Sequence, residues 1–230
     1  MKKYILCLVW LFSFSALFAQ GNEKPVIVFD FGGVIGDSDK DVLCDRTAHE
    51  LGISEDKAFE LVDGYYESKR QGRSSRLFWS EQAEKGWSFP ERWRERFEAI
   101  RRECIIAFPG MMELVEVLRS KGYRVAMLSN VTPDRAAVIR SQGLYEPFDP
   151  LILSYEIGVS KPDKRAWEIL LDALGGIAPR RCIFIDDKLR NTIVADEMGF
   201  DSIVFVSHED LCRQLERRGI CLRQGGVQVR

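Results

Sequence analysis

Short runs of β-branched and other apolar residues alternate with helical patterns along most of the chain, and this alternation limits the possible folds more than any other feature. The predicted strands are Val26–Phe29, Arg124–Leu128, Leu151–Leu153, Cys182–Ile185 and Ile203–Val206. The predicted helices are Met111–Lys121, Pro133–Ser141, Lys164–Leu174, Leu189–Met198 and Glu209–Arg218. Strands that alternate with helices form a parallel sheet, because each crossover helix returns the chain to the same edge. We therefore predict an α/β fold, in which helices cover both faces of a parallel sheet.

One long interval, residues 39–108, interrupts this alternation. It contains no convincing strand, and its patterns predict the helices Lys40–Leu51, Glu55–Lys69, Ser75–Glu84 and Glu91–Ile105. Because this block follows the first strand, we predict that it is an inserted α-helical cap over the carboxyl edge of the sheet. Open α/β sheets bind their ligands at that edge.

Polar and charged residues follow the first four of the predicted strands. They are Asp30, then Ser129 and Asn130, then Lys161, and finally Asp186 and Asp187. Parallel strands share one carboxyl edge, so we expect these side chains to converge on one crevice. A single Asp after a strand is commonly just the N-cap of the next helix. Polar residues at four strand ends together indicate a functional site instead.

The expected convergence would bring carboxylates close together, where they repel each other. At about 4 Å and an effective dielectric constant near 20, this repulsion is roughly 4 kcal/mol, and a divalent cation removes it. Only oxygen ligands are present, so Mg²⁺ is the predicted metal. Carboxylate-bound Mg²⁺ beside a lysine and a serine hydroxyl is typical of a phosphate site. There Asp30 can attack phosphorus and form an aspartyl-phosphate, which water later hydrolyses.

Four segments resemble, in order, the motifs of the haloacid dehalogenase-like (HAD) hydrolase superfamily, which is dominated by phosphatases. They are VIVFDFGGVI, YRVAMLSN, GVSKPD and CIFIDDKLRN. The resemblance covers about residues 26–206 and implies a Rossmann-like sheet with a helical cap inserted after the first motif. With these implied boundaries, the core domain comprises residues 25–38 and 109–218, the cap 39–108, and a C-terminal tail 219–230.

The resemblance also implies roles for the matching residues and predicts a Mg²⁺-dependent phosphatase acting on a small phosphoester, for instance a sugar phosphate. The implied catalytic residues are the nucleophile Asp30, with Ser129 and Lys161. The implied phosphate-binding residues are Gly33, Ser129, Asn130 and Lys161. The resemblance implies that Mg²⁺ is held by Asp30, Gly32 and Asp187, with Asp186 and Asn191 in support.

The first motif departs from the usual pattern of the family at Gly32, where most members have a second aspartate. In the family that residue binds Mg²⁺ through its carbonyl oxygen and protonates the leaving group through its carboxyl. Glycine retains only the first role, and a positioned general acid contributes about 10²- to 10⁴-fold to the rate. We therefore predict a preference for acyl, aryl or anomeric sugar phosphates, or a substitute acid. Asp37 and Asp39 lie close enough in sequence to be candidates, although solvated loop acids are the commoner interpretation of such residues.

Two other functions remain open from the sequence. A metal-independent 2-haloacid dehalogenase would also lack the second aspartate, although paired carboxylates at Asp186 and Asp187 are costly without a cation. A non-catalytic phospholigand-binding protein of this fold is the other alternative. Four retained residues argue against it, namely Asp30, Ser129, Lys161 and Asp187.

Residues 1–19 predict a secretory signal peptide, with two lysines, an apolar run and small residues before a cleavage point after Ala19. We expect export to the periplasm or outside the cell, with an uncleaved N-terminal membrane anchor as the alternative. After cleavage we expect no stable membrane association. The formal net charge of −2 indicates no nucleic-acid surface, so the expected partner is a small phosphoester.

Two further groups of residues are of interest. An oxidising compartment permits disulfides, and Cys212 and Cys221 are near enough in sequence to close a short loop, whereas Cys104 and Cys182 are expected to be buried free thiols. The segment ESKRQGRSSR crowds four basic side chains near a predicted helix junction, namely Lys69, Arg70, Arg73 and Arg76. These side chains either form a solvated charged face or bind a second anionic group on the substrate.

Overall fold

The computed structural model describes residues 24–222 of the 230-residue chain. The strands in this part are β1 (Val26–Phe29), β2 (Gly36–Ser38), β3 (Ile105–Ala107), β4 (Val125–Ser129), β5 (Leu151–Leu153), β6 (Cys182–Asp186) and β7 (Asp201–Val204). The helices are α1 (Lys40–Leu51), α2 (Glu55–Arg70), α3 (Ser75–Glu84), α4 (Trp93–Glu103), α5 (Met111–Ser120), α6 (Pro133–Ser141), α7 (Ser154–Ile157), α8 (Arg165–Ala173), α9 (Leu189–Glu197) and α10 (His208–Arg217). Every predicted strand and helix is present, with ends within two residues of the prediction.

Five strands form a parallel sheet in the order β5-β4-β1-β6-β7, which confirms the predicted α/β class. The first strand in sequence, β1, is central and pairs with β4 on one side and β6 on the other. Its four residues are all buried, as are the five of β6. Strands buried on both faces read as continuous apolar runs, which is the pattern of the sequence here.

The two faces of the sheet each bury a separate apolar cluster, because successive side chains of a strand point to opposite sides. Ile27 and Phe29 of β1 join a cluster with apolar residues of α5, α6 and α10. Val26 and Val28 join the opposite cluster with residues of α8 and α9, including the fully buried Trp167. Helices on both faces therefore hold the carboxyl ends of β1, β4 and β6 in fixed positions.

Helices α1 to α4, which we call the helical insertion, pack around an apolar cluster of their own. Its centre is aromatic: Tyr65, Trp79, Trp93 and Phe97 are buried and lie edge-to-face, stacked or tilted against one another. These helices confirm the predicted helical block. The division of the chain into a core domain and a cap at the predicted boundaries stays a prediction.

The expectation that residues 39–108 contain no strand is wrong. Strand β3 pairs antiparallel with β2 and joins the two chain segments that enter and leave the helical insertion. Each strand has only three residues, too few for an alternating pattern to be recognised. Gly36 allows this pairing, because a β carbon there would lie 2.2 Å from the carbonyl oxygen of Ile106.

Several predictions concern the ends of the chain and the cysteines. The predicted signal peptide and residues 223–230 of the predicted tail lie outside the described residues. Within residues 24–222, no helix has the length and apolar character needed to cross a membrane. The suggested Cys212–Cys221 disulfide is wrong, since both thiols are free, and Cys104 and Cys182 are buried free thiols as expected.

Candidate active site

The carboxyl edge of the sheet brings together the polar residues that follow its central strands. Asp30 lies directly beyond β1 and continues the ladder with β6, because its backbone N–H donates to the carbonyl oxygen of Ile185 at 2.9 Å. Ser129 is the last residue of β4, and Asp186 is the last residue of β6. The central position of β1 explains why Asp30 lies between the other two strand ends.

A buried lysine connects two of these carboxylates. The Lys161 Nζ lies 3.0 Å from Asp30 Oδ1 and 2.6 Å from Asp186 Oδ2. The exposed fraction of the three side chains is 4% or less. Burial raises the pKa of Asp30, and the Lys161 ammonium is the largest opposing influence, with a further contribution from Lys188. Lys161 therefore favours the ionised form that a nucleophilic carboxylate requires.

Asn130 fixes the loop that carries Lys161. Its side-chain Nδ2 donates to the Lys161 carbonyl oxygen at 2.8 Å, and its Oδ1 accepts from the Lys161 N–H at 2.9 Å. Both polar atoms of the amide are thus in use. The side chain of Asn130 thus orients the backbone of Lys161, and its predicted binding of phosphate stays a prediction.

Asp186 is enclosed by hydrogen-bond donors. Besides Lys161, its carboxylate accepts from the Lys188 N–H at 2.9 Å and from Asn191 Nδ2, which is 2.9 Å from both oxygens. Asn191 lies in the first turn of α9, so the start of this helix is attached to the end of β6. A buried carboxylate with four such contacts is compensated within the protein.

Asp187 lies beside the first motif and is less buried than Asp186. Gly33 has a φ of +79°, and a β carbon there would be 2.6 Å from Asp187 Oδ2. The N–H of Gly33 donates to the Gly36 carbonyl oxygen at 3.2 Å, and the phosphate-binding role of Gly33 stays a prediction. Burial raises the pKa of Asp187 to about 6; Lys188 opposes this shift, whereas the charges of Asp30 and Asp186 add to it.

The three carboxylates form a cluster suited to a cation. Single oxygens of Asp30, Asp186 and Asp187 lie within 4.8 Å of one another. Oxygen-only donor sets of this kind match the preferences of Mg²⁺. Because Asp186 is committed to its own donors, Asp30 and Asp187 are the side chains left to hold a metal. The predicted contribution of the Gly32 carbonyl oxygen stays a prediction.

Ser129 completes the arrangement with a hydroxyl. The residue is buried at the end of β4, in register with Leu153 of β5. In the described part of the chain, its hydroxyl makes no hydrogen bond with another residue. This hydroxyl at the carboxyl edge is therefore free to bind a ligand oxygen.

Lys188 is a site residue that the sequence reasoning missed. Its ammonium lies 3.3 Å from Asp187 Oδ1. Burial lowers the pKa of Lys188, but the charges of Asp30, Asp187 and Asp186 outweigh this and raise it. The available signal was its place immediately after the paired aspartates of the fourth motif. Lys188 and Lys161 together place two positive charges beside the carboxylate cluster. Repulsion between the carboxylates is therefore partly compensated by the protein itself, which the sequence-based prediction of a metal did not consider.

The two candidates for a substitute general acid have other partners. Asp37 pairs with Arg135 at 2.7 Å and lies 3.8 Å from Arg101. Asp39 caps α1, since its Oδ1 accepts from the N–H groups of Asp41 and Val42. Both carboxylates therefore have structural contacts, and the role of either as a substitute acid stays a prediction.

The fold and the site together define an α/β protein whose parallel sheet presents a buried carboxylate, a lysine and a serine at its carboxyl edge. Comparison with known proteins identifies the family: the model for "haloacid dehalogenase-like hydrolase" matches residues 24–199. The chain belongs to the HAD-like hydrolases, and it is an enzyme of this family.

Relatives and structural neighbours include both phosphatases and dehalogenases. D-ribitol-5-phosphate phosphatase from Bacteroides thetaiotaomicron is 26% identical over 76% of this chain and 89% of that enzyme. (S)-2-haloacid dehalogenase 4A from Burkholderia cepacia is 29% identical, but the match covers only 42% of each chain. Two solved structures share the fold. One is a HAD family enzyme from B. thetaiotaomicron in complex with magnesium and inorganic phosphate, with a TM-score of 0.55 and 23% identity over 84% of this chain and 99% of that chain. The other is L-2-haloacid dehalogenase from Xanthobacter autotrophicus, with a TM-score of 0.61 and 18% identity over 86% of this chain and 85% of that chain.

Proposed function

We propose that the protein is a Mg²⁺-dependent phosphatase that hydrolyses a small phosphomonoester through an aspartyl-phosphate on Asp30. The observation that carries this proposal is the buried Lys161 between Asp30 and Asp186, with Asp187 beside them. The phosphatase names of several relatives support it. The chain spans 89% of the ribitol-phosphate enzyme but about half of other curated relatives it matches.

The proposed reaction has two displacements at phosphorus. The free oxygen of Asp30 attacks phosphorus, the bond between phosphorus and the ester oxygen breaks, and the leaving alkoxide takes a proton from water to give the alcohol product. Water then attacks the phosphorus of the aspartyl-phosphate, the bond between phosphorus and the Asp30 oxygen breaks, and inorganic phosphate is released while one proton passes to the solvent. The Lys161 ammonium and the Ser129 hydroxyl stabilise the charge on the transferring phosphoryl oxygens.

The metal would be held by Asp30 and Asp187, with the Gly32 carbonyl oxygen as the proposed backbone ligand. When bound, Mg²⁺ neutralises the negative charge of the phosphate and of the carboxylates around it. Asp186 and Asn191 would fix the start of α9 and so the position of Asp187.

The helical insertion is proposed to be the substrate-selecting cap. Gly32 offers no acid for the leaving group, so the proposed substrates have weakly basic leaving oxygens, as in acyl, aryl and anomeric sugar phosphates. The names of a ribitol-phosphate phosphatase and a "phosphorylated carbohydrates phosphatase" among the relatives support a sugar phosphate as the substrate.

The decisive experiment is a screen of phosphate release from a panel of phosphoesters, with Mg²⁺ and with a chelator. We expect release that requires Mg²⁺ and disappears in Asp30→Asn, with Asp163→Asn as a matched control on an exposed loop. Release that persists in Asp30→Asn would exclude the aspartyl-phosphate. Ligand binding without any release would favour the non-catalytic alternative.

A second candidate is a 2-haloacid dehalogenase that needs no metal. The specific observation in its favour is the pair Lys161 and Lys188, which compensates the carboxylates from within the protein. Dehalogenases among the relatives and neighbours also support it. Halide release from a 2-haloacid in the presence of a chelator would establish this function in place of the phosphatase.

We further propose that the protein is exported and loses residues 1–19. The support is the charge, length and apolar character of that segment. Cell fractionation with N-terminal sequencing tests this proposal: a chain that begins at Gln20 outside the cytoplasm supports it. An intact N-terminus in the membrane fraction supports an anchor instead.

A further inference from the structure

Three basic residues border the candidate active site, and we call Lys69, Lys188 and Arg190 the cationic rim. Lys188 connects this rim to the site, because its ammonium contacts Asp187. Arg190 follows two residues later in the first turn of α9. Lys69 belongs to a different element, near the end of α2 in the helical insertion.

The two sides of the cationic rim face each other. A β carbon on Gly72, just beyond α2, would lie 3.4 Å from the Arg190 guanidinium, so the α2–α3 turn rests against Arg190. Partial burial lowers the pKa of Lys69, and the negative charge of Glu98 opposes this decrease. The positive charges of Arg101, Lys188 and Arg190 lower the pKa of Lys69 further. The positive charges from α2 and α9 are therefore close enough to interact.

Most of this positive charge is uncompensated. Within the described residues, Lys69 and Arg190 form no ion pair with a carboxylate. Glu98, whose charge reaches Lys69, is held by Arg101 at 2.7 Å and by the Tyr65 hydroxyl at 2.7 Å. Arg73, which lies in the same basic segment as Lys69, is not part of the rim because its charge is compensated by an ion pair with Glu81.

The start of α9 adds to the positive potential. A helix N-terminus carries partial positive charge and normally favours acidic residues. The first turn of α9 has none, and instead has Lys188 at the N-cap and Arg190 two residues later. Like charges gathered from two elements repel each other, and a bound anion removes this repulsion.

We propose that the cationic rim binds a second anionic group of the substrate, a carboxylate or a second phosphate, while the first phosphate is held at Asp30. The substrate class is thereby a small phosphomonoester that carries another negative group. This inference rests on the proposed phosphatase function. It assigns Lys69 and Arg190 to substrate selection, without a part in the displacement at phosphorus.

Matched substrates test the proposal in the intact protein with Mg²⁺. Phosphoglycerate and glycerol phosphate differ by a carboxylate in place of a hydroxymethyl group, and glucose bisphosphate and glucose monophosphate differ by a second phosphate. We expect kcat/KM to be at least about tenfold higher for the more charged member of one pair. A tenfold difference corresponds to the low end of the contribution that one hydrogen bond to a charged group makes to binding. The pair that shows the preference identifies the second group. Equal kcat/KM within both pairs overturns the proposal.

Single-charge variants identify the residues responsible. Lys69→Gln and Arg190→Gln are each expected to lower that preference about tenfold through KM, and to leave kcat/KM for the less charged member unchanged. Matched controls are Lys57→Gln, about 18 Å away along α2, and Arg180→Gln, which lies before β6 at the opposite edge of the sheet. An unchanged preference in both rim variants, or an equal loss in the controls, overturns the proposal.

A binding measurement separates this inference from the phosphatase proposal. Calorimetry of phosphoglycerate and of glucose bisphosphate is carried out with Asp30→Asn, alone and combined with Lys69→Gln or Arg190→Gln. Weaker binding in the combined variants supports the cationic rim even if no phosphoester is hydrolysed, an outcome that refutes only the phosphatase. Equal binding in all variants overturns the rim even if phosphate release is confirmed.

Discussion

Gly33 lies against Asp187 so closely that a β carbon at position 33 would be 2.6 Å from Asp187 Oδ2. Its neighbour Gly32 is different, because a β carbon there would meet no atom within 4 Å. The left-handed backbone of Gly33, with φ +79°, adds a second requirement for glycine. Of the two adjacent glycines, only Gly33 is required by the packing of the site.

This difference predicts opposite outcomes for two alanine variants. Gly33→Ala should displace Asp187 and lower the free energy of unfolding by at least about 1 kcal/mol. Its activity should fall by about 10²-fold, as expected when a site residue is displaced. Gly32→Ala should retain both the stability and the metal requirement. Urea unfolding and Mg²⁺-dependent phosphate release measure these effects, and equal damage in the two variants would contradict the interpretation.

The open space at Gly32 permits a gain-of-function test. Gly32→Asp should fit without displacing its neighbours and supply the missing general acid. We expect kcat on glycerol phosphate to rise by up to about 10²-fold, with little change on para-nitrophenyl phosphate, whose leaving group needs no proton. Gly32→Asn is the matched control. The prediction fails if Asp and Asn give the same rates.

Lys161 is predicted to stabilise the fold as well as the reaction. Lys161→Met leaves Asp30 and Asp186 buried without their shared cation, which should cost about 3–5 kcal/mol of unfolding free energy. The pKa of Asp30, already raised, should rise further, so the loss should be larger near pH 8 than near pH 5. Lys164→Met, which breaks only the exposed pair with Glu197, should cost less than about 1 kcal/mol. Urea unfolding at both pH values measures the difference, and equal losses in the two variants would refute it.

Asp187 should destabilise the metal-free protein at neutral pH. Its pKa, raised to about 6 by burial, exceeds the ordinary value of 3.8, so folding disfavours the ionised form. Its contribution to stability therefore declines as pH rises from about 4 to 6. In a chelator near pH 7, Asp187→Asn should be more stable than the unsubstituted protein by on the order of 2 kcal/mol. Near pH 4 the difference should vanish, and a difference that is independent of pH would sink this explanation.

Asp37 is predicted to be structural. Its carboxylate pairs with Arg135 at 2.7 Å and connects β2 to α6. Asp37→Asn should therefore leave the ratio of rates on aryl and alkyl phosphates unchanged, with a loss of stability of about 1 kcal/mol. The same ratio measured in Arg135→Gln provides the control. A selective loss of alkyl phosphate hydrolysis in Asp37→Asn alone would restore Asp37 as a general acid.

The main sheet and most of the site could be predicted because their signals are local. The apolar run of β1 ends at Asp30, and the run of β6 ends at Asp186, so parallel pairing alone brings these carboxylates to one edge. The short strands β2 and β3 were missed because their pairing depends on contacts between residues far apart in sequence. Lys188 was missed for a related reason, since its role depends on where α9 begins relative to the carboxylates.

The sequence by itself determined the order of strands and helices, the family, and the residues at the ends of the central strands. Only the tertiary structure decided how those residues are paired. It placed Lys161 between Asp30 and Asp186 and used Asn130 to hold the Lys161 backbone. The physical reason is that burial and short-range contacts set the charge state and the available donors of each group, and both depend on neighbours distant in sequence.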